Sequence, residues 1–162
     1  MNTIPRRRAI GGLYVVVGLL VTTSSLWAAD PFVGTWKLNL AKSKYSPGPP
    51  PKNLTITYAA TENGIKSNTE GVNAEGKPVA TTYSATYDGK DTPVTGSGAP
   101  YDTIAVKRID PNTVELTTKK DGKVVSKGKR VVSKDGKVMT ITSKGTNAKG
   151  EATNNVAVYD KQ

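Results

Sequence analysis

The sequence predicts an all-β chain, an antiparallel up-and-down meander of 8–10 strands closed into a barrel. Three observations carry this. Asn63-Gly64, Glu75-Gly76, Asp88-Gly89, Asp121-Gly122, Asp135-Gly136 and Lys149-Gly150 punctuate short runs rich in Val, Thr and Tyr. Asn/Asp-Gly supplies the positive φ of a tight hairpin loop at least cost. Between these turns apolar and polar residues alternate with period two, and no segment has a helical period. Only one long connector is expected, between the first two strands. Simple up-and-down order favours a barrel over a Greek-key sandwich, and closure removes exposed sheet edges.

The elements follow in order. Residues 32–40 place Phe32, Gly34, Trp36, Leu38 and Leu40 on one face. Residues 42–52 contain Ser46-Pro47-Gly48-Pro49-Pro50-Pro51 and predict an extended connector, because proline cannot continue a ladder or a helix. Residues 54–59 put Leu54, Ile56 and Tyr58 together, and residues 65–71 read as a more polar strand. Residues 78–87 align Val79, Thr81, Tyr83, Ala85 and Tyr87, with Asp88-Gly89 as the turn that ends them. Residues 92–100 read as a short edge strand and loop. Residues 103–109 align Ile104, Val106 and Arg108, and residues 113–119 turn Val114 and Leu116 inward. Residues 124–132 align Val124, Ser126, Gly128, Arg130 and Val132, and strands at 137–143 and 153–159 complete the set.

Residues 1–29 have the layout of a secretory signal peptide: Arg6, Arg7 and Arg8, an apolar stretch from 9 to 21, and a small-residue cleavage site at Ala28-Ala29. The apolar run is short for a membrane span, so no stable span is expected after cleavage. Residues 30–162 then form one domain, periplasmic or secreted. Of the 23 basic residues, the leader takes three arginines, which leaves 20 against 13 acidic residues, a net charge of +7. The chain has no cysteine, which excludes disulfides and a lipid-anchored cysteine.

The absence of histidine as well as cysteine removes the commonest general base, the thiol nucleophile and the usual zinc and copper ligand sets. Glu75, Asp88, Asp91, Asp110, Asp121, Asp135 and Glu151 all fall in or beside turns, where a carboxylate bonds its own backbone. Ser126 and Lys129 have the spacing of Ser-x-x-Lys, but on a strand they point to opposite faces. No enzyme activity, metal or cofactor is therefore expected. Residues 119–137 hold eight basic side chains and no aromatic one, which argues against nucleic acid.

Two sets of residues could carry function. Arg108 and Arg130 lie on inward faces, where a guanidinium is costly unless it is paired, and a bound carboxylate or phosphate would pair it. Trp36, Ile56, Tyr58, Tyr83, Tyr87, Val106 and Leu116 would line the interior with them. Because the inward faces also carry many Thr, Ser and Ala residues, the interior is expected to be filled, or narrow and mixed in polarity.

Phe32-Val33-Gly34-Thr35-Trp36-Lys37-Leu38 resembles the opening of the calycins, the superfamily of lipocalins and fatty-acid-binding proteins, which share Gly-x-Trp on the first strand. The resemblance implies a lipocalin-like β-barrel in which Trp36 closes one end and a basic residue packs over it, either Lys161 or Arg130. The chain looks more closely like exported bacterial lipocalin-like proteins at Gly34-Thr35-Trp36-Lys37-Leu38-Asn39 with Lys42-Ser43, and at Ser133-Lys134-Asp135-Gly136-Lys137 with Met139-Thr140. These features lead to non-covalent binding of a small apolar or amphipathic ligand, with an anionic group held by Arg108 and Arg130. The alternative is an envelope interaction or enzyme-inhibitor module with a packed barrel, acting through residues 46–51, residues 96–100 and its lysines.

Overall fold

The computed structural model describes residues 29–162; the signal segment expected over residues 1–29 lies outside them, apart from its last residue. Eleven strands form one antiparallel sheet: β1 (Gly34–Leu38), β2 (Asn53–Thr61), β3 (Gly64–Val72), β4 (Pro78–Thr86), β5 (Asp88–Pro93), β6 (Thr95–Ser97), β7 (Thr103–Asp110), β8 (Thr113–Lys120), β9 (Lys123–Val132), β10 (Val138–Thr146) and β11 (Ala152–Lys161). The order across the sheet is β5-β7-β8-β9-β10-β11-β1-β2-β3-β4-β6. β4, followed in this row only by the three-residue β6, runs straight into β5 at the other end. The sheet thus curls into a nearly closed barrel, and the Arg108 amide bonds the Tyr87 carbonyl across the seam.

β1 is shorter than the alternation suggests. A one-turn 3-10 helix, Leu40–Lys42, interrupts it, and Leu40 is exposed instead of inward. The connector then replaces the missing upper half of β1. Lys44 bridges Val156, and the Asn154 amide bonds the Ser46 carbonyl. Asn39 and Lys42 both bond the Asp160 carboxylate, which pins this segment to β11. Tyr45 packs inward from it.

The three Asp-Gly-Lys triplets adopt three geometries. Asp121 (φ 49°) and Gly122 (φ 74°) make a two-residue hairpin loop between the paired Lys120 and Lys123. Asp135-Gly136 lies in a longer loop, closed by Gly136 N–H to Ser133 O and Ser133 N–H to Val138 O. Asp88-Gly89 is not a hairpin at all. It begins β5, at a register shift between Asp88 and Asp91, and Gly89 (φ 80°) supplies the bend that carries the chain across the seam. The count of eleven strands, against 8–10 expected, follows from this. A second bulge, between Thr118 and Lys119 against β9, turns Val124 outward to 50% exposure, off the face it was expected to share with Arg130.

The core lies at one end of the barrel. Phe32, Trp36, Ile65, Val106, Val114, Val132 and Met139 are fully or almost fully buried there. The Trp36 indole N–H donates to the Phe32 carbonyl at 2.8 Å, so the segment before β1 forms a plug across the opening. Arg108 caps it from outside. Its Nη2 pairs with Asp30 Oδ2, its Nη1 bonds Pro111 O, and its guanidinium carbon sits 3.7 Å from the centroid of the Tyr87 ring. Asp30 Oδ2 also accepts from the Tyr87 hydroxyl at 2.7 Å.

Candidate functional site

The opposite end of the barrel is open. Several inward side chains above the core are small, Ser67, Gly128, Ser143 and Ala157 among them, and a cavity of about 810 Å³ remains. The interior is therefore neither filled nor narrow. Small inward residues leave space that neighbouring strands cannot collapse to fill, because the ladders hold the strands apart.

The cavity is layered. Tyr58, Tyr83, Tyr159 and Arg130 stand near its base, Ile56, Ile104, Leu116 and Ile141 form apolar wall, and Thr118, Ser126 and Ser143 lie nearer the mouth. Glu75, Lys120 and Lys149 come from the turns around the opening. Alternation places these residues: β8 runs from the closed end to the mouth, so Val114, Leu116 and Thr118 step upward on one face.

Arg130 is 3% exposed and has no carboxylate partner among the described residues. Its Nη2 donates to the Tyr83 hydroxyl at 3.0 Å, and its guanidinium carbon lies 4.6 Å from the Tyr58 ring centroid. Nε and Nη1 have no hydrogen-bond partner among the described residues. Burial works to lower its pKa, but the surrounding phenols of Tyr58, Tyr83 and Tyr101 more than offset this, and the group stays protonated. Burial in turn raises the phenols of Tyr58, Tyr101 and Tyr159. Tyr101 is pushed up to about 12, while Tyr58 and Tyr159 lie well above their ordinary value, opposed by the Arg130 charge. At neutral pH the base of the cavity is thus one cation surrounded by neutral O–H donors, a combination that complements an anion.

Of the residues singled out from the sequence, Ile56, Tyr58, Tyr83, Leu116 and Arg130 line the cavity together. Trp36 and Val106 lie below it in the closed end, and Tyr87 and Arg108 belong to the Asp30 cluster. Tyr101, Tyr159 and Thr118 also line it. Tyr159 and Thr118 follow the alternation of β11 and β8. Tyr101 sits in a loop, where no periodicity marks its direction. Among the described residues no group of three or more His, Cys, Asp or Glu side chains could hold a metal ion, and no helix is long and apolar enough to cross a membrane.

No protein-family model matches the chain, and no curated protein sequence does. Its structure is similar to zebrafish ileal bile acid-binding protein complexed with cholic acid, with a TM-score of 0.51 at 13% identity over 82% of this chain and 99% of the other. The fold is calycin-like. A redesigned β-barrel, mFAP1, bound to DFHBI is also similar, with a TM-score of 0.43 at 14% identity over 83% and 98% of the two chains. In this calycin-like barrel Lys161, not Arg130, packs over the tryptophan, with Nζ 5.1 Å from a Trp36 ring centroid. The same side chain covers Gly34, where an added Cβ would come within 2.7 Å of Lys161 Cε. Glycine, tryptophan and lysine therefore form one closure unit.

Proposed function

We propose that this protein binds a small amphipathic anion non-covalently, with its apolar body against Ile56, Ile104, Leu116 and Ile141 and its charged end towards Arg130 and the tyrosine hydroxyls. One observation carries the reading: a buried guanidinium without a carboxylate partner lies at the base of a roomy, open-ended cavity. A buried cation lacking a counter-charge is costly, and an anionic ligand would offset that cost. Tyr83 accepts from Arg130, which strengthens its own O–H as a donor to the ligand. The solved calycin-like structure with cholic acid is in keeping with this reading, since an amphipathic acid occupies a barrel of the same fold. Calorimetric titration with decanoate and with decanol tests it. The acid binds and the alcohol binds more weakly, and Arg130→Ala lowers acid affinity by about 1.5–3 kcal/mol, the range for a charged hydrogen bond. Equal affinity of wild type and variant for decanoate sinks the role of Arg130.

The protein acts outside the cytoplasm in this reading, after removal of residues 1–29. An N-terminal sequence beginning at Asp30 in the mature protein supports it; a retained leader contradicts it. A second reading rests on the outer face. Lys127 stands directly opposite Lys144, and among the described residues Lys129 has only Glu115 within reach, at 4.0 Å. Like charges held opposite each other are unfavourable without an anion nearby. An envelope contact through this face predicts steeply salt-dependent binding to anionic vesicles.

A further inference from the structure

We propose that Thr118, with Ser126 beside it, forms a second polar subsite, so that the ligand is a carboxylate carrying a hydroxyl or carbonyl group about 10 Å from its charged end. This rests on the reading of the cavity as a site for an amphipathic anion.

Thr118 is 9% exposed and lines the cavity, yet its Oγ1 has no hydrogen-bond partner among the described residues. Buried hydroxyls are almost always bonded, because leaving one unpaired sacrifices its hydration for nothing. Valine has the same shape, suits a strand and carries no such penalty. The two cross-strand neighbours do not relieve it. Ile104 on β7 has no polar side-chain atom, and Ser126 on β9 makes no bond to Oγ1 although the two residues are directly paired. The bulge beside this pair leaves Val125 of β9 without a partner on β8, and bulges re-aim the side chains of the strand that carries them, here Ser126. A single χ1 step exchanges the hydroxyl and methyl of threonine, so either can face the cavity.

Strand register supplies the ruler. Arg130 pairs with Val114, and Thr118 lies four residues further along β8, towards the mouth. At roughly 3.3 Å per residue that is about 13 Å along the strand. A strand tilt near 40° reduces it to about 10 Å along the barrel axis. Between the two polar levels the same face of β8 presents Leu116, opposite Gly128, which leaves the passage apolar and wide. The wall therefore reads cation, apolar span, hydroxyl pair. Its complement is a chain acid with a second hydrogen-bonding group at its far end.

The test is calorimetric titration of the protein with three acids: decanoate, decanoate hydroxylated at its terminal carbon, and decanoate hydroxylated beside the carboxylate. The terminal hydroxy acid is expected to bind about tenfold more tightly than decanoate, the factor for one net hydrogen bond. Hydroxylation beside the carboxylate brings no such gain. Thr118→Val removes the advantage and melts no lower; Thr118→Ser keeps the advantage. Equal affinities of wild type for decanoate and its terminal hydroxy form, or an advantage that survives in Thr118→Val, overturn the subsite while leaving the anion site standing. Failure of decanoate itself to bind overturns the anion site, and the subsite with it.

Discussion

Arg108 and Arg130 occupy the same row of the barrel wall. Both pair with Val114, one from β7 and one from β9, and both project from inward faces. Their surroundings then diverge. Arg108 turns to the closed end, where Asp30, the Pro111 carbonyl and the Tyr87 ring use its charge and its donors. Arg130 turns into the interior and meets phenols and ring faces, with one hydrogen bond to Tyr83 and two nitrogens left unpartnered among the described residues. The difference separates two uses of a charge. A cation whose partners are built into the chain adds to stability. A cation left without them subtracts from stability and has its attraction available for a ligand. Position on an inward face, which is all that alternation reveals, does not distinguish the two; the partner does.

The largest expected effect lies at the plug that both arginines touch. Phe32 is wholly buried, 5.4 Å from the Arg108 guanidinium and 6.0 Å from that of Arg130, measured to its ring centroid. Phe32→Ala should cost about 3–5 kcal/mol of folding stability, the usual range for deleting a core aromatic ring. Urea unfolding measures this, and a loss below about 1 kcal/mol would show that the plug is not part of the cooperative core.

Arg130→Met breaks the comparison from the cavity side. Exchanging a buried unpaired cation for an apolar chain of similar length should leave the melting temperature unchanged or raise it, while decanoate affinity falls by about 1.5–3 kcal/mol. Asp30→Asn breaks it from the closed end. Because Arg108 and Asp30 retain side-chain exposures of 26% and 18%, the loss is discounted to about 1–2 kcal/mol of stability, with decanoate affinity unchanged. A variant that moved stability at Arg130 and affinity at Asp30 would reverse the assignment.

The last effect shows only in alkaline solution. Burial pushes Tyr45 and Tyr101 up to about 12, against about 10 for an unfolded tyrosine. The folded chain holds these protons more tightly than the unfolded chain does. Their contribution is therefore fully present below about pH 10 and is lost as pH rises towards 12. Urea midpoints should fall across that window, and a flat profile would contradict the burial of these phenols.

Much of this architecture is legible in the chain. Period-two alternation marks the inward positions of Ile56, Tyr58, Tyr83, Leu116 and Arg130, because side chains on a pleated strand must alternate. The resemblance carried by Gly34 and Trp36 left two candidates for the cover over the ring, and the register Trp36↔Lys161 selects the lysine. Other features depend on contacts that no local pattern encodes. Asp88-Gly89 has the composition of a hairpin, but β5 finds its partner in β7 across the seam, so the glycine bends a strand instead of ending one. Asp30 precedes the first strand, and only closure of the barrel brings it to Arg108, 78 residues away. The cavity is a matter of summed volume: each Ser, Gly and Ala reads as unremarkable alone, and the space they leave together appears only once opposite walls are placed.

The most direct test combines two readings on one variant. Decanoate titration and thermal unfolding of Arg130→Met, run beside wild type, ask whether this cation is retained for a ligand. The variant is expected to fold at least as stably as wild type and to lose most of its affinity for the acid. A variant that binds decanoate with wild-type affinity, or that unfolds markedly earlier, would show that Arg130 is a structural charge like Arg108.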